Sequence, residues 1–338
     1  MTEQQQHRAF IPPVADGAPR PLWSVMIPTH DCAGYLRETL TSVLMQAPGP
    51  EVMQIEVVDD YSTKDDPEAV VQELGKGRVT FFRQLQNVGQ LANFETCLLR
   101  ARGQLVHLLH GDDAVKDGFY RSLQCAFTEH PEIGAAFCRH IFMDERGQRQ
   151  EISPLEQDEP GILENWVERI AEAQRIQTPS IVVRREVYER IGAFDHRLSW
   201  CEDWEMWVRL ANQYPVYYEP EPLAVYRRHL ASNSGSHIHT GENIRDIRRA
   251  IDIYRSYLPN DLFVRVSPKA KRYYALYAIT TSRELAANGD RSGAFAQLRE
   301  AFRCSISPSV IGATVGLVAW YLCSGMKRRL AWTRQATT

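Results

Sequence analysis

Apolar and polar positions fall into a repeating pattern through the first third of the chain. Ser24-Val25-Met26-Ile27-Pro28 is a short apolar run that Pro28 closes, and Leu36, Leu40, Val43 and Leu44 then recur on one helical face. Ile55-Glu56-Val57-Val58 reads as a second strand stopped by Asp59-Asp60-Tyr61-Ser62, and Val79-Thr80-Phe81-Phe82 as a third. A helix is predicted over 91–100, ending before Gly103, and a fourth strand over 105–109 closes on Gly111-Asp112-Asp113. Strands alternating with helices predict right-handed βαβ units around a largely parallel, buried sheet. In such sheets ligands bind beyond the carboxyl ends of the strands. Both acidic pairs, Asp59-Asp60 and Asp112-Asp113, fall at those ends.

Farther along, 134–138 predicts another strand, 144–160 a polar loop, 181–183 a short strand and Gly192-Ala193-Phe194-Asp195 a turn. After Cys201 a helix carries Trp204, Trp207, Val208 and Ala211 on one face. From Gly241 the pattern is helical, including a pair near 281–288 and 294–302 joined by Asn288-Gly289-Asp290. Residues 1–22 are rich in Pro, Gln and Gly without periodicity and read as a flexible lead. The organisation expected is therefore this lead, an α/β domain over 23–235, a helical extension over 236–306 and a distinct segment over 307–338.

That last segment carries no charged side chain between Arg303 and Lys327, and then Lys327-Arg328-Arg329 follow at once. The uncharged run is short for a membrane span and contains Gly312, Gly316 and Gly325. An interfacial helix anchored by the basic cluster fits it best, with a core helix and a true span as the alternatives. Composition narrows the partners. Of 338 residues, 39 are basic and 42 acidic, for a net charge of −3, which argues against a broad nucleic-acid-binding surface. The seven cysteines are scattered with no C-x-x-C pair, against both a zinc site and a disulfide framework. The polar N-terminus has no apolar core of a secretory signal, so a reducing cytoplasm is the expected compartment.

The acidic pairs are the candidate chemistry. A diphosphate leaving group recruits a divalent cation, held by one or two carboxylates. Asp112-Asp113 suits that role because small neighbours, Gly111 and Ala114, leave room for phosphate. The pair is equally suited to cap a turn or helix. Asp59-Asp60 could accept hydrogen bonds from a base or ribose, or cap its strand. Glu202-Asp203 opens a helix near Trp200, Trp204 and Trp207. A carboxylate there is either an N-terminal helix charge or a general base in an aromatic sugar pocket.

Taken in order, these pieces resemble a family. Ser24-Val25-Met26-Ile27-Pro28-Thr29-His30-Asp31, Val57-Val58-Asp59-Asp60-Tyr61-Ser62, Asn87-Val88-Gly89 and Leu108-Leu109-His110-Gly111-Asp112-Asp113 look like the opening half of a family 2 glycosyltransferase. Thr178-Pro179-Ser180, Ile191-Gly192-Ala193-Phe194-Asp195, Glu202-Asp203-Trp204 and Tyr226-Arg227-Arg228-His229 continue the series, which spans roughly 24–234. The resemblance implies the GT-A nucleotide-sugar-binding fold, a Rossmann-like, mostly parallel sheet flanked by helices, here with a helical C-terminal extension. It implies a nucleotide-sugar donor, a UDP-sugar foremost, a saccharide or lipid-linked acceptor, a divalent Mn2+ or Mg2+ ion and inverting single displacement.

Site roles are implied by position. Asp59 and Asp60 would contact the base, Asp112 would lie near the ribose, and Asp113 would bind the metal with His229 close by. Asp203 would be the catalytic base. Pro28, Thr29, Asn87, Gly89, Glu202 and Trp204 would complete the substrate pocket. Two positions depart from the family pattern: His110 stands where an acid is common, and Tyr61 where glycine is common. A non-catalytic scaffold subunit of a polysaccharide-building complex is the rival reading, and retention of Asp113 and Asp203 favours the enzyme. A dinucleotide-dependent oxidoreductase is disfavoured because no G-x-G-x-x-G follows the first strand. A serine hydrolase is disfavoured because there is no G-x-S-x-G elbow.

Overall fold

The computed structural model describes residues 6–15, 17–18, 20–229, 233–319 and 321. The chain divides into two compact units, Met1–Ile170 with Gln174–Leu230, and Ala171–Ala173 with Ala231–Thr338.

The first unit opens with β1 (Trp23–Thr29), α1 (Ala33–Leu44), β2 (Met53–Asp59), α2 (Pro67–Gly75), β3 (Thr80–Arg83), α3 (Gln90–Arg100) and β4 (Leu105–Leu108). Strand β1 lies parallel to both β2 and β4, and β2 parallel to β3. Every residue of β1 and β2 is buried. That is why these strands appear in the sequence as apolar runs and not as an alternation. Helix α1 turns Leu36, Leu40 and Val43 onto this layer, all fully buried. The α/β pattern expected of this region is therefore present, and its parallel strands end on the acidic pairs.

Beyond β4 the sheet becomes mixed. It continues through β5 (Ala114–Val115), α4 (Phe119–Glu129), β6 (Ala135–Asp144), β7 (Arg149–Ile152), β8 (Gly161–Ile162), α5 (Trp166–Glu172), β9 (Ile181–Arg184), α6 (Arg185–Ile191), α7 (Glu202–Ala211) and β10 (Val216–Arg228). The strand order is β3-β2-β1-β4-β9-β6-β10-β5, with β7 on β6 and β8 on β10. Strand β9 runs antiparallel to β4 and β6.

Three expectations are corrected here. The stretch 144–160 is not all loop: β7 folds back on β6, and its all-exposed side chains conceal it from hydrophobic patterning. The long strand β10 was not anticipated, because Pro220 and Pro222 break its signal; the register against β6 shifts at Pro222. The N-terminal lead is not free over its described part. Ile11 is fully buried, and Arg8 forms ion pairs with the buried carboxylates Asp195 (3.3 Å) and Glu205 (3.0 Å).

The second unit is helical: α8 (Asn233–Thr240), α9 (Glu242–Tyr254), α10 (Asn260–Ala287) and α11 (Arg291–Cys304). Helix α9 buries Ile244, Ile247 and Ile251. The helix pair anticipated around Asn288-Gly289-Asp290 forms as α10 and α11, but α10 is one 28-residue helix that tolerates Pro268 in its interior. Asp290 caps α11 by accepting from the Gly293 amide at 2.9 Å. A last helix over 308–319 buries Val310 and Leu317 and exposes Ile311, Val315 and Val318. Among the described residues no helix is long and apolar enough to cross a membrane. The basic cluster Lys327-Arg328-Arg329 lies outside the described residues.

Candidate active site

Three neighbouring strand ends assemble the site. The carbonyl of Pro28, in β1, accepts from the Gly111 amide at 3.0 Å, and that of Thr29 accepts from the Asp60 amide at 2.9 Å. The ends of β2 and β4 are thereby clamped on either side of β1. Gly111 is required for the approach: a Cβ there would stand 2.8 Å from Thr29 Oγ1 and 3.1 Å from Cys32 Sγ. Thr39 of α1 donates to the carbonyls of Gly111 (3.0 Å) and Asp113 (2.6 Å), fixing the acidic turn from below.

The first pair organises backbone. Asp59 accepts from the Ser62 hydroxyl at 2.5 Å and from its amide, with Arg83 3.4 Å away. Asp60 holds the loop before α3, accepting from the amides of Val88 (2.7 Å) and Gly89 (2.9 Å). Gly89 sits at φ +87°, where a side chain would strain the turn. Asn87 donates to the Asp60 carbonyl at 3.3 Å, and His30 Nδ1 lies 3.0 Å from the same oxygen. Tyr61, at the position where the family commonly has glycine, adopts φ +60°, the backbone conformation that makes glycine the easy choice. Its ring stacks under the Arg83 guanidinium at 5.1 Å.

The second pair forms a cluster. His110, Asp112 and Asp113 bring one ligand atom each to within 4.8 Å of one another. Asp113 is 1% exposed; its Oδ1 accepts from the Arg227 amide at 2.8 Å, and its Oδ2 has no hydrogen-bond partner. Burial, with the neighbouring Asp112 charge, pushes the Asp113 carboxyl well above the usual carboxylate range. A buried, half-satisfied carboxylate that resists ionisation is the donor a divalent cation would satisfy. Burial lowers the pKa of the His110 imidazole, and its Nδ1 lies 3.6 Å from Asp113 Oδ2. A neutral imidazole is a competent ligand. Its ring stacks on Phe94 of α3, with centroids 4.9 Å apart.

For Asp112, burial opposes ionisation but is outweighed, with the hydrogen bond from His229 the leading counterweight, so its carboxyl titrates below the ordinary range. His229 Nε2 is 2.8 Å from Asp112 Oδ2. The structure thus joins His229 to the cluster through Asp112, while His110 is the histidine beside Asp113. Arg227, buried at the end of β10, donates to the carbonyls of Asp112 (2.9 Å) and Asp144 (3.3 Å), pairs with Glu38 and lies over Tyr35.

The third pair opens α7. Asp203 Oδ2 accepts from Gln174 at 2.9 Å and lies 3.4 Å from the Thr178 hydroxyl; its Oδ1 accepts from the Trp204 amide at 2.6 Å. Burial and the adjacent Glu202 raise Asp203 to about 8, the range of a working general base. Glu202 accepts from Gln90 at 2.9 Å, linking α7 to the first turn of α3 beside the Asp60 loop. The segment before β9 is tied to β4, where His107 Nε2 lies 3.0 Å from the Pro179 carbonyl.

Trp204 is placed differently from the expectation of a substrate contact. Its ring is 1% exposed, and its indole N–H donates to the Ile170 carbonyl at 2.6 Å. Trp207 is buried as well. The apolar face of α7 is core, so these rings position Asp203 and leave no exposed face for a sugar. Gln90, Gln174 and Arg227 carry the contacts that sequence reading did not assign. Gln90 directly follows Gly89, which was a usable signal; Gln174 has no local signature.

A family model described as "Glycosyl transferase family 2" matches residues 24–192. Among curated proteins, an uncharacterized protein of Mycobacterium tuberculosis is 28% identical over 243 residues, covering 69% of this chain and 75% of its own. A Mycobacterium bovis protein is 29% identical over 61% of this chain, which spans only 58% of that relative. An uncharacterized glycosyltransferase of Rickettsia prowazekii is 21% identical over 67% of this chain and 70% of its own.

Two solved structures share the fold. Residues 1–349 of Staphylococcus aureus TarS, in complex with UDP-GlcNAc, superpose with a TM-score of 0.59 at 15% identity, covering 83% of this chain and 91% of TarS 1–349. The Pyrobaculum calidifontis mannosyltransferase PcManGT, in complex with GDP-Man and Mn2+, superposes with a TM-score of 0.56 at 18% identity, covering 94% and 86%. With the sheet, its acidic strand ends and this match over half its length, the chain belongs to glycosyl transferase family 2 and has the GT-A fold.

Proposed function

We propose that this glycosyltransferase moves a hexosyl unit from a UDP-sugar to an acceptor hydroxyl by metal-dependent single displacement with inversion. The acceptor is a saccharide or lipid-linked saccharide of cell-surface polysaccharide or glycolipid synthesis, reached at the inner face of the plasma membrane. The observation that carries the reading is Asp113: a fully buried carboxylate with an unpartnered oxygen, set beside Asp112 and His110 at a strand end.

Asp113, Asp112 and His110 would hold the divalent ion, with His229 orienting Asp112. Bound there, Mn2+ or Mg2+ supplies positive charge for the departing diphosphate. Asp203 takes the proton of the attacking hydroxyl, and Gln174 and the Trp204 amide hold its carboxylate in place. Asp59 and Asp60 shape the base and ribose pocket through the turns that they pin, together with Pro28, Thr29, Asn87 and Gly89. Glu202, tied to Gln90, keeps α7 registered to that pocket. The exposed apolar face of the last helix supports peripheral membrane contact.

A donor screen tests this reading. Release of nucleoside diphosphate is measured from UDP-, GDP- and dTDP-sugars, with manganese and with excess chelator. Turnover of a UDP-sugar that chelation abolishes is the expected result. Binding of donor without turnover of any would turn the reading toward a scaffold subunit.

A further inference from the structure

The helical unit contains a cavity of 410 Å³, lined by Lys269, Lys271, Arg272, Cys304, Ser305 and Ser307 among others. That volume lies within the range of small-ligand sites. Its charge is mostly positive. Lys269 pairs with Glu172, Lys271 Nζ is 4.0 Å from Asp252, and Arg272 has no ion pair among the described residues. Burial raises the Cys304 thiol to about 11, so it adds no negative charge, and it donates to the Lys271 carbonyl at 3.2 Å. Ser307 caps the last helix, its carbonyl accepting from the amides of Val310 and Ile311, with Pro308 in the first position. These bonds consume the first-turn amides of Val310 and Ile311, and Pro308 has none, so this segment meets the cavity through the Ser305 and Ser307 side of the lining. The Arg272 guanidinium, the lysine ammonium groups and the serine hydroxyls together form a phosphate-binding environment.

The flank of this cavity is apolar and exposed. Ile306, between two lining serines, is 74% exposed, and Ile311, Val315 and Val318 present 50%, 65% and 48% of their surface along the helix that starts there. A soluble phosphate needs no such flank; a phospholipid has both parts.

We propose that this cavity is a headgroup site for an anionic phospholipid. Its phosphate seats against Lys271 and Arg272, and its acyl chains run beside Ile311 and Val315. The inference rests on the peripheral reading of the last helix and adds a discrete, charge-selective site to it.

The test uses the full-length protein in flotation with vesicles of phosphatidylcholine, alone or mixed with phosphatidylglycerol. Inorganic phosphate is titrated separately by calorimetry. Wild type should bind the mixed vesicles more tightly than the neutral ones. The double substitution Lys271→Gln/Arg272→Gln, at a half-buried and an exposed position, should weaken that binding roughly thirtyfold, with thermal unfolding unchanged. Ile311→Ser/Val315→Ser should weaken binding to both vesicle types. If the charge variant floats like wild type while the apolar variant detaches, the pocket proposal falls and the peripheral reading stands. If wild type floats with neither vesicle, both fall, and saturable inorganic phosphate binding would then identify a soluble ligand.

Discussion

At the scale of single residues, the proposed chemistry turns on carboxylates whose proton affinity is set by their loss of water. Asp113, fully buried, and Asp203, half-buried, are carboxylates whose partial or full loss of water holds them away from ionisation. Asp113→Ala removes the unpartnered Oδ2 together with the acceptor of the Arg227 amide, two effects of opposite sign, so it should abolish manganese-dependent transfer while unfolding near the wild-type temperature. A stable variant that kept full activity would end the metal assignment. For Asp203, the folded pKa of about 8 lies above the ordinary carboxyl value of 3.8. Between those values the folded state binds more protons than the unfolded one, so this group's contribution to stability is lost as pH rises through about 8. Activity has the opposite slope, because only the ionised base accepts a proton. Asp203→Asn should therefore raise the melting temperature above pH 7, flatten its pH dependence and lower turnover by roughly 10²–10⁴, with donor affinity unchanged. Calorimetry showing donor binding lost would make Asp203 structural. The places of these acids at strand and helix ends were legible in the sequence. Their protonation was not, since it depends on what covers them.

At the scale of elements, β10 is the part that sequence patterning missed and the site depends on. Its last residues bring the Arg227 amide to Asp113 and the His229 ring to Asp112. Arg227 spreads its guanidinium over two carbonyls and Glu38, a geometry an ammonium cannot reproduce. Arg227→Lys and Arg227→Met should each cost about 2–4 kcal/mol by urea unfolding, since buried acceptors lose their donor. Wild-type denaturation midpoints in both would show that the network is idle. Gly111→Ala acts on the junction of β1 and β4, where the added methyl meets Thr29. Its expected signature is loss of transfer with the helical content retained, read by kinetics beside circular dichroism.

For the molecule as a whole, ligand and fold are linked. A site that binds manganese and nucleotide only when folded raises stability by about 2.7 kcal/mol at a hundredfold excess over Kd. Manganese with UDP should accordingly raise the unfolding temperature of wild type and leave that of Asp113→Ala in place. Equal shifts in the two proteins would locate the ion elsewhere. The two units also differ in how they could be read. The α/β unit announces itself through buried strands and acidic turns. The helical unit shows only amphipathic periodicity, which predicts helices but not what they enclose; its cationic cavity arises from residues on two separate segments, 267–272 and 304–307.

What the sequence by itself determined was local: apolar runs that must be buried on both faces, turns punctuated by Gly and Asp, and ordered acidic motifs at the ends of those runs. These depend on near neighbours along the chain, so pattern and family resemblance reach them. What only the tertiary structure decided was long-range. It set the antiparallel insertion of β9, the arrival of Arg227 and His229 from over a hundred residues away, and the Gln174 and Gln90 contacts on the third acidic pair. It also turned Trp204 into core, because an aromatic residue in a helix carries the same signature whether its face meets a sugar or the protein interior. The solvation of each carboxylate, and hence its proton affinity, belongs to the same class. It is a property of the packed surroundings, and no stretch of sequence contains it.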